Sequence, residues 1–299
     1  MQTSTEEFFT RAHPISKIGK VIQFPLTRIL IALVFLIPVL VLNKLFKELV
    51  YPLLNRNVIV VMQYIEAAVF FLLFMIVYRW FVRLIERRHA LEVGVVHGFR
   101  EIGTGFLMAA SLVILVIGLL TVPGYYKILG WNAMPRIALD LFVKFFMGAF
   151  LEELLFRLIL FKLTEEWLGS WAALIIQALL FGFSHLANEN ATVFTSFSIA
   201  IIGGLLYTAG FMYTRRIWLP LGLHLGWNYF QSGVFGLPNS GSAYDGLLIP
   251  QVTGPAWLTG GSFGIEASYA AILLCFVTGV VLLIKAQRSS QWVKPAWQR

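Results

Sequence analysis

Apolar runs long enough to cross a bilayer recur along almost the whole chain, and this recurrence limits the fold more than any other feature. Stretches such as ILIALVFLIPVLVL and AAVFFLLFMIVY must satisfy their own backbone polar groups in lipid, so each is expected to be helical. Eight such segments can be drawn, at about 27–45, 58–80, 103–122, 138–162, 170–187, 193–213, 217–235 and 265–285. The expected fold is therefore an all-α polytopic membrane protein, with about eight transmembrane helices in one bundle around an intramembrane polar cavity. Of the 299 residues, 59% are hydrophobic and 13% charged. Soluble domains carry about 25% charged residues, so little chain remains for a separate soluble domain.

The expected organisation is an N-terminal cytoplasmic or interfacial segment at 1–26, with Phe8 to Phe24 lying along the membrane surface, then N-terminal spans and a basic linker at 27–134. A motif-bearing core follows at 135–235, then an extracytoplasmic loop at 236–264, and a last span with a basic tail at 265–299. The first apolar run has no small-residue cleavage site after it, so it is expected to be retained as a span. Eight spans put sixteen Lys and Arg residues on the side of both termini and five, Arg56 and Arg136 among them, on the other. The positive-inside rule then makes both termini cytoplasmic, in a multi-pass protein of the cell membrane. The formal net charge of +8 is accounted for by this asymmetry and by anionic headgroups, and nucleic acid is excluded as a partner. The Gly-, Ser- and Pro-rich stretch GLPNSGSAYDGLLIPQVTGPAWLTGGSFG predicts an irregular loop, and RWFVRLIERRHALEVGVVHGFRE an interfacial linker. The single cysteine, Cys275, falls in an apolar segment and is expected to pack.

Ionisable residues inside spans cost several kcal/mol each and so require a partner or a function. Asp140 and Lys144, four apart, are expected to pair. In EELLFR, Glu153 and Arg157 are also four apart, whereas Glu152 is turned by about 100° from Glu153. Glu152 is thus left to project into the bundle without a sequence-local partner. FGFSH places His185 near the end of the fifth span, and HLGWN places His224 and Asn228 on one face of the seventh. Glu66, on the second span, is expected at an interface or lining a cavity.

A carboxylate and two imidazoles in a wet pocket can take a proton from water and stabilise an oxyanion, as amide hydrolysis requires. The same groups, Glu152, His185 and His224, could hold a divalent metal such as zinc. The residues leave the cofactor open between a metal and none. No H-E-x-x-H zinc motif occurs, HLANE has the wrong spacing, and no G-x-S-x-G serine elbow is present. Depth arithmetic places Glu152 about 15 Å, His224 about 10 Å and His185 about 25 Å from the cytoplasmic boundary. On those boundaries upright helices would not bring His185 to Glu152; tilt, a broken fifth helix or different boundaries are required.

In order, EELLFR, FGFSH and HLGWN resemble the E-E-x-x-x-R, F-x-x-x-H and H-x-x-x-N/D motifs of the CAAX prenyl endopeptidase type 2 and bacteriocin-processing (CPBP, or ABI) intramembrane proteases. The resemblance covers about 135–232. It implies that Glu152 activates the attacking water with His185 assisting, that His224 and Asn228 stabilise the oxyanion, and that Glu153 and Arg157 support the site. The implied activity is endopeptidase cleavage of a membrane-associated or lipidated peptide or protein, of the metalloprotease-like type, with metal dependence left open. Two other classes fit the composition: a non-catalytic scaffold or bacteriocin self-immunity protein that keeps these residues as glue, and an ion-coupled transporter. The lack of a repeated half argues against the transporter.

Overall fold

The computed structural model describes residues 5–10, 12, 16–133 and 136–299. Expectations that fall on residues 1–4, 11, 13–15 and 134–135 lie outside the described residues, as does any expectation about the Arg56 and Arg136 side chains. Helix α1 spans Pro25–Val50, α2 Arg56–Phe81 and α3 Gly98–Thr121. Strand β1 (Tyr126–Trp131) precedes α4 (Arg136–Glu153), whose path continues through π-helical Leu154–Phe161 into α5 (Lys162–Ser184). Helix α6 covers Val193–Thr214, α7 is Trp218–Asn228 with a π-helical extension Tyr229–Val234, and β2 (Leu248–Val252) and α8 (Tyr269–Arg288) complete the chain.

The protein is an all-α multi-pass membrane protein. Six helices are long and apolar enough to cross a membrane, one of them the 51-residue run Ile137–Ala187. That run is broken at Gly169 (φ 80°, ψ 169°), a left-handed conformation in which a side chain would also strike Pro295 and Val293. The chain turns back there, so the run supplies two crossings. The shorter segment Trp218–Val234, where the seventh span is expected, is not among these six helices.

The Gly169 turn also resolves the depth conflict. The sequence boundaries end the fourth span at 162, but the helix persists to the turn. Glu152 then stands 17 residues before Gly169 and His185 16 residues after it, both about 25 Å along their arms. The two residues are level.

Helix α7 seats against α3 at backbone contact. Gly222 and Gly226, spaced as G-x-x-x-G, face Gly105, and a Cβ on Gly222 would lie 2.2 Å from the Ile102 carbonyl. A Cβ on Gly226 would meet the Phe106 carbonyl at 2.6 Å. The close seat fixes the helix that carries His224 and Asn228. Gly222→Val should therefore lower membrane abundance and detergent-solubilised thermal stability sharply, by an overpacking cost of about 1–3 kcal/mol or more. Wild-type stability in that variant would show that the seat is loose.

Two sequence expectations are corrected. The 236–264 loop is not wholly irregular, since β2 pairs antiparallel with β1, Tyr126 opposite Val252 and Trp131 opposite Leu248. Ile249 and Val252 suit a strand, but their partner lies about 120 residues upstream and leaves no local signal. The RWFVRLIERRHALEVGVVHGFRE segment is likewise more than a surface linker. Its Glu86, Arg88 and Glu92 are buried with Arg28 of α1 and Lys162 of α5. Arg28 meets Glu86 at 3.2 Å and Glu166 at 2.6 Å, and Arg88 meets Glu86 and Glu92 at 2.7 and 2.6 Å. Lys162 reaches the same two carboxylates at 2.9 and 3.3 Å, and the Tyr78 hydroxyl donates to Glu92. Burial alone would raise the Glu92 carboxyl, but Lys162 and Arg88 hold it well below the usual carboxylate range.

Phe9 and the C-terminal Arg299 lie together: the Arg299 guanidinium stands 4.9 Å over the Phe9 ring and donates to the Glu166 carbonyl. Cys275 is fully buried, as expected of a packing residue.

Candidate active site

The EELLFR segment sits mid-bundle, where α4 passes into its π-helical continuation. Glu153 and Arg157 are completely buried and pair at 3.1 Å, as their spacing predicts. Arg157 also donates to the Gly203 carbonyl of α6, and its guanidinium lies over the Phe181 and Tyr207 rings at 4.6 and 5.5 Å. An arginine at this depth thus has a carboxylate, a carbonyl and two ring faces as partners, while its Nε finds no hydrogen-bond partner among the described residues.

Glu153 has a second partner that helical spacing does not reveal. Its Oε1 lies 2.9 Å from His224 Nδ1, and the His224 ring stacks on Tyr207 at 4.9 Å. His185 Nδ1 lies 2.8 Å from the Phe181 carbonyl. A carbonyl and a carboxylate only accept, so both imidazoles carry hydrogen on Nδ1 and donate from it. The two Nε2 atoms are left facing Glu152.

Glu152 Oε2 stands 4.0 Å from His185 Nε2 and 3.9 Å from His224 Nε2. That oxygen is buried and has no hydrogen-bond partner among the described residues, although the side chain as a whole is 37% exposed. The gaps exceed a direct hydrogen bond and suit one bridging water. Asn228 joins the group on the same cleft, of about 200 Å³, together with Asn188, Asn239 and Ser240. Asn239 Nδ2 donates to Asn228 Oδ1 at 3.0 Å, which leaves the Asn228 NH2 group as its donor. All four expected residues, Glu152, His185, His224 and Asn228, line one cleft.

The sequence leaves a metal open, and zinc does not fit these side-chain positions. Among the described residues, no three His, Cys, Asp or Glu side chains gather closely enough to hold a metal ion. The 3.9 and 4.0 Å gaps also exceed the about 3.4 Å between neighbouring ligands of a tetrahedral zinc with bonds near 2.1 Å.

The other intramembrane charges lie nearby. Among the described residues no ion pair joins Lys144 to Asp140; Lys144 lies 4.6 Å over the Tyr244 ring on the edge of the cleft, and the Tyr64 hydroxyl donates to Asp140. A one-turn spacing permits a pair but does not compel it when a loop aromatic is within reach. Lys144 also borders a cavity of about 540 Å³ between α1, α2 and α4. Glu66 lines that cavity as expected, accepting from Asn43 at 2.6 Å and from the Tyr51 hydroxyl, and pairing with Lys47 at 3.0 Å.

Residues 134–230 match the family described as Type II CAAX prenyl endopeptidase Rce1-like. This segment, about a third of the chain, is similar to the CPBP family. A similar protein is the "Putative membrane peptidase YdiL" of Bacillus subtilis (strain 168), 30% identical over 101 residues. The match covers 33% of this chain and 38% of that relative's own length. No solved structure matches the chain. The matched segment contains Glu152, Glu153, Arg157, His185, His224 and Asn228. Asn239 and Ser240, which complete the cleft, lie beyond the CPBP match in the 236–264 loop. Reading NSGS as turn chemistry gave no sign that Asn239 reaches back to Asn228.

Proposed function

We propose that the chain is an intramembrane endopeptidase in which Glu152 activates water for hydrolysis of a peptide bond. The observation that carries this reading is the partnerless Glu152 Oε2, equally spaced from two imidazole Nε2 atoms whose other nitrogens are already engaged. A water bound there loses its proton to Glu152 as its oxygen bonds to the carbonyl carbon, with His185 assisting. The carbonyl oxygen becomes an oxyanion that accepts from the Asn228 NH2 group. It also accepts from Nε2–H of a doubly protonated His224, whose Nδ1–H is held by Glu153. Collapse breaks the C–N bond, the amine leaves with the proton held by Glu152, and the carboxylate is restored. No step passes through a metal.

The adjoining 540 Å³ cavity supports a membrane-associated or lipidated peptide as substrate. Asn43, Lys47, Tyr64, Glu66 and Asp140 make one end polar, whereas Leu40, Phe70, Phe74, Met147 and Leu151 make the deeper end apolar. With the end that holds Phe9 and Arg299 taken as cytoplasmic, on the basic-residue asymmetry, the cleft is covered from the opposite side by the 236–264 loop. The setting proposed is the cell membrane.

Asn228 gives a direct test of the oxyanion role. In proteoliposomes with a palmitoyl-anchored, internally quenched peptide, Asn228→Ala should lower kcat by about 10²-fold with little change in KM. A variant that cleaves at the wild-type rate removes Asn228 from the mechanism. A wild-type protein that cleaves no anchored peptide removes the reading itself and favours the scaffold.

A further inference from the structure

Glu266 is a buried carboxylate, 2% exposed, in the short 3-10 turn Ile265–Ala267 just before α8. It lies beyond the segment that matches the CPBP family. Its Oε1 accepts from the Ser240 backbone N–H at 2.8 Å and the Ser240 hydroxyl at 3.4 Å. Its Oε2 accepts from Gln231 Nε2 at 2.5 Å, and the same nitrogen donates to the Pro238 carbonyl at 2.5 Å. Pro238 and Ser240 flank Asn239, the residue that holds the Asn228 amide. Asn188 donates to the Ser240 carbonyl at 2.9 Å, which ties the same loop to the end of α5.

Ser240 adopts a left-handed backbone (φ 47°), a conformation that a serine holds only when its surroundings impose it. The packing leaves no slack around the knot. A Cβ on Gly264 would lie 2.3 Å from Glu266 Oε2 and 2.4 Å from the Pro238 carbonyl, and one on Gly241 would meet the Glu189 carbonyl at 1.8 Å.

We propose, on the peptidase reading above, that Glu266 is a positioning residue: by holding Ser240 directly and Pro238 through Gln231, on either side of Asn239, it fixes the Asn228 amide for the oxyanion. Glu266 does not touch the reacting atoms; it acts through Asn239. The charge of Glu266 also bears on the cleft. A small cavity of about 20 Å³ is lined by Glu266 together with His185 of α5, Tyr207 of α6, and His224 and Asn228 of α7, while Cys275 of α8 lies close enough to interact with Glu266 electrostatically. Burial pushes the Glu266 carboxyl up to about 7, against the lowering effect of the Gln231 and Ser240 hydrogen bonds.

The ionised form accepts all of these hydrogen bonds, so kcat should rise as pH passes through about 7. Stability has the opposite sign. A carboxyl raised in the folded state contributes fully below its ordinary value of 4.5, and that contribution is lost as pH rises through about 7. Opposed trends separate positioning from simple support of the fold.

The test uses the full chain in proteoliposomes with the palmitoyl-anchored, internally quenched peptide. Glu266→Ala should lower kcat about tenfold or more with KM within about twofold, since a misaimed donor forfeits part of its effect. Asn239→Ala should do the same, and the double variant should be no slower than the slower single variant, because both act on one amide. Glu266→Gln keeps the size and an acceptor for Ser240, so it serves if the alanine variant does not accumulate. It should abolish the inflection in kcat near pH 7. Multiplicative losses in the double variant, unchanged cleavage by Glu266→Ala, or a pH profile of kcat that is the same in Glu266→Gln as in wild type would each overturn the proposal while leaving the peptidase reading intact. A wild-type protein that cleaves nothing overturns both.

Discussion

Glu152→Gln is expected to lower cleavage of an anchored peptide by about 10³-fold while the protein accumulates and unfolds thermally as wild type does. A positioned general base contributes about 10²–10⁴-fold, and the amide cannot take up the water's proton. The replacement is nearly isosteric. Glu152 makes no described hydrogen bond through Oε2 and is not a partner in the Glu153–Arg157 pair, so little of the packing depends on its charge. Initial rates in proteoliposomes, with a melting curve on the same preparation, would measure both halves of this expectation. Cleavage within a few fold of wild type would sink the assignment of Glu152 as base.

Arg157→Leu should act in the opposite way, on the protein before the chemistry. Removing the guanidinium strips Glu153 of a buried counter-charge at 3.1 Å, and such breaks cost about 3–5 kcal/mol. The Gly203 carbonyl loses its donor as well. Abundance in the membrane should therefore collapse. A companion variant, Glu153→Gln with Arg157→Leu, removes both charges and should restore much of the abundance. It should remain slow, because His224 Nδ1 then faces an amide in place of the carboxylate that orients the ring. Equal abundance of Arg157→Leu and wild type on quantitative immunoblots would mean that the pair is dispensable to the fold.

Much of the helical layout was legible because lipid enforces local rules. Apolar length marks a span, and the i, i+4 relation between Glu153 and Arg157 survives in the structure. Glu66 lines a cavity as its isolation in α2 suggested. What could not be read depends on residues distant in sequence. The contact between His224 and Glu153 joins α7 to α4, that between Asn239 and Asn228 joins a loop to a helix, and β1 finds its strand partner across most of the fold. The depth conflict had a different cause. Gly169 was placed in a short connection, whereas the helix runs up to it, and a shift of seven residues moved Glu152 by about 10 Å.

The buried cluster around Glu86 bears on how such a chain is made. Arg28, Glu86, Arg88 and Glu92 emerge first and sum to zero, two positive charges against two negative. Lys162 and Glu166 follow much later and again sum to zero. The nascent protein can therefore settle its first half into lipid as a neutral assembly and dock the second half onto it, with no charge stranded while the rest is still being synthesised. Each instalment is electrically complete when it arrives.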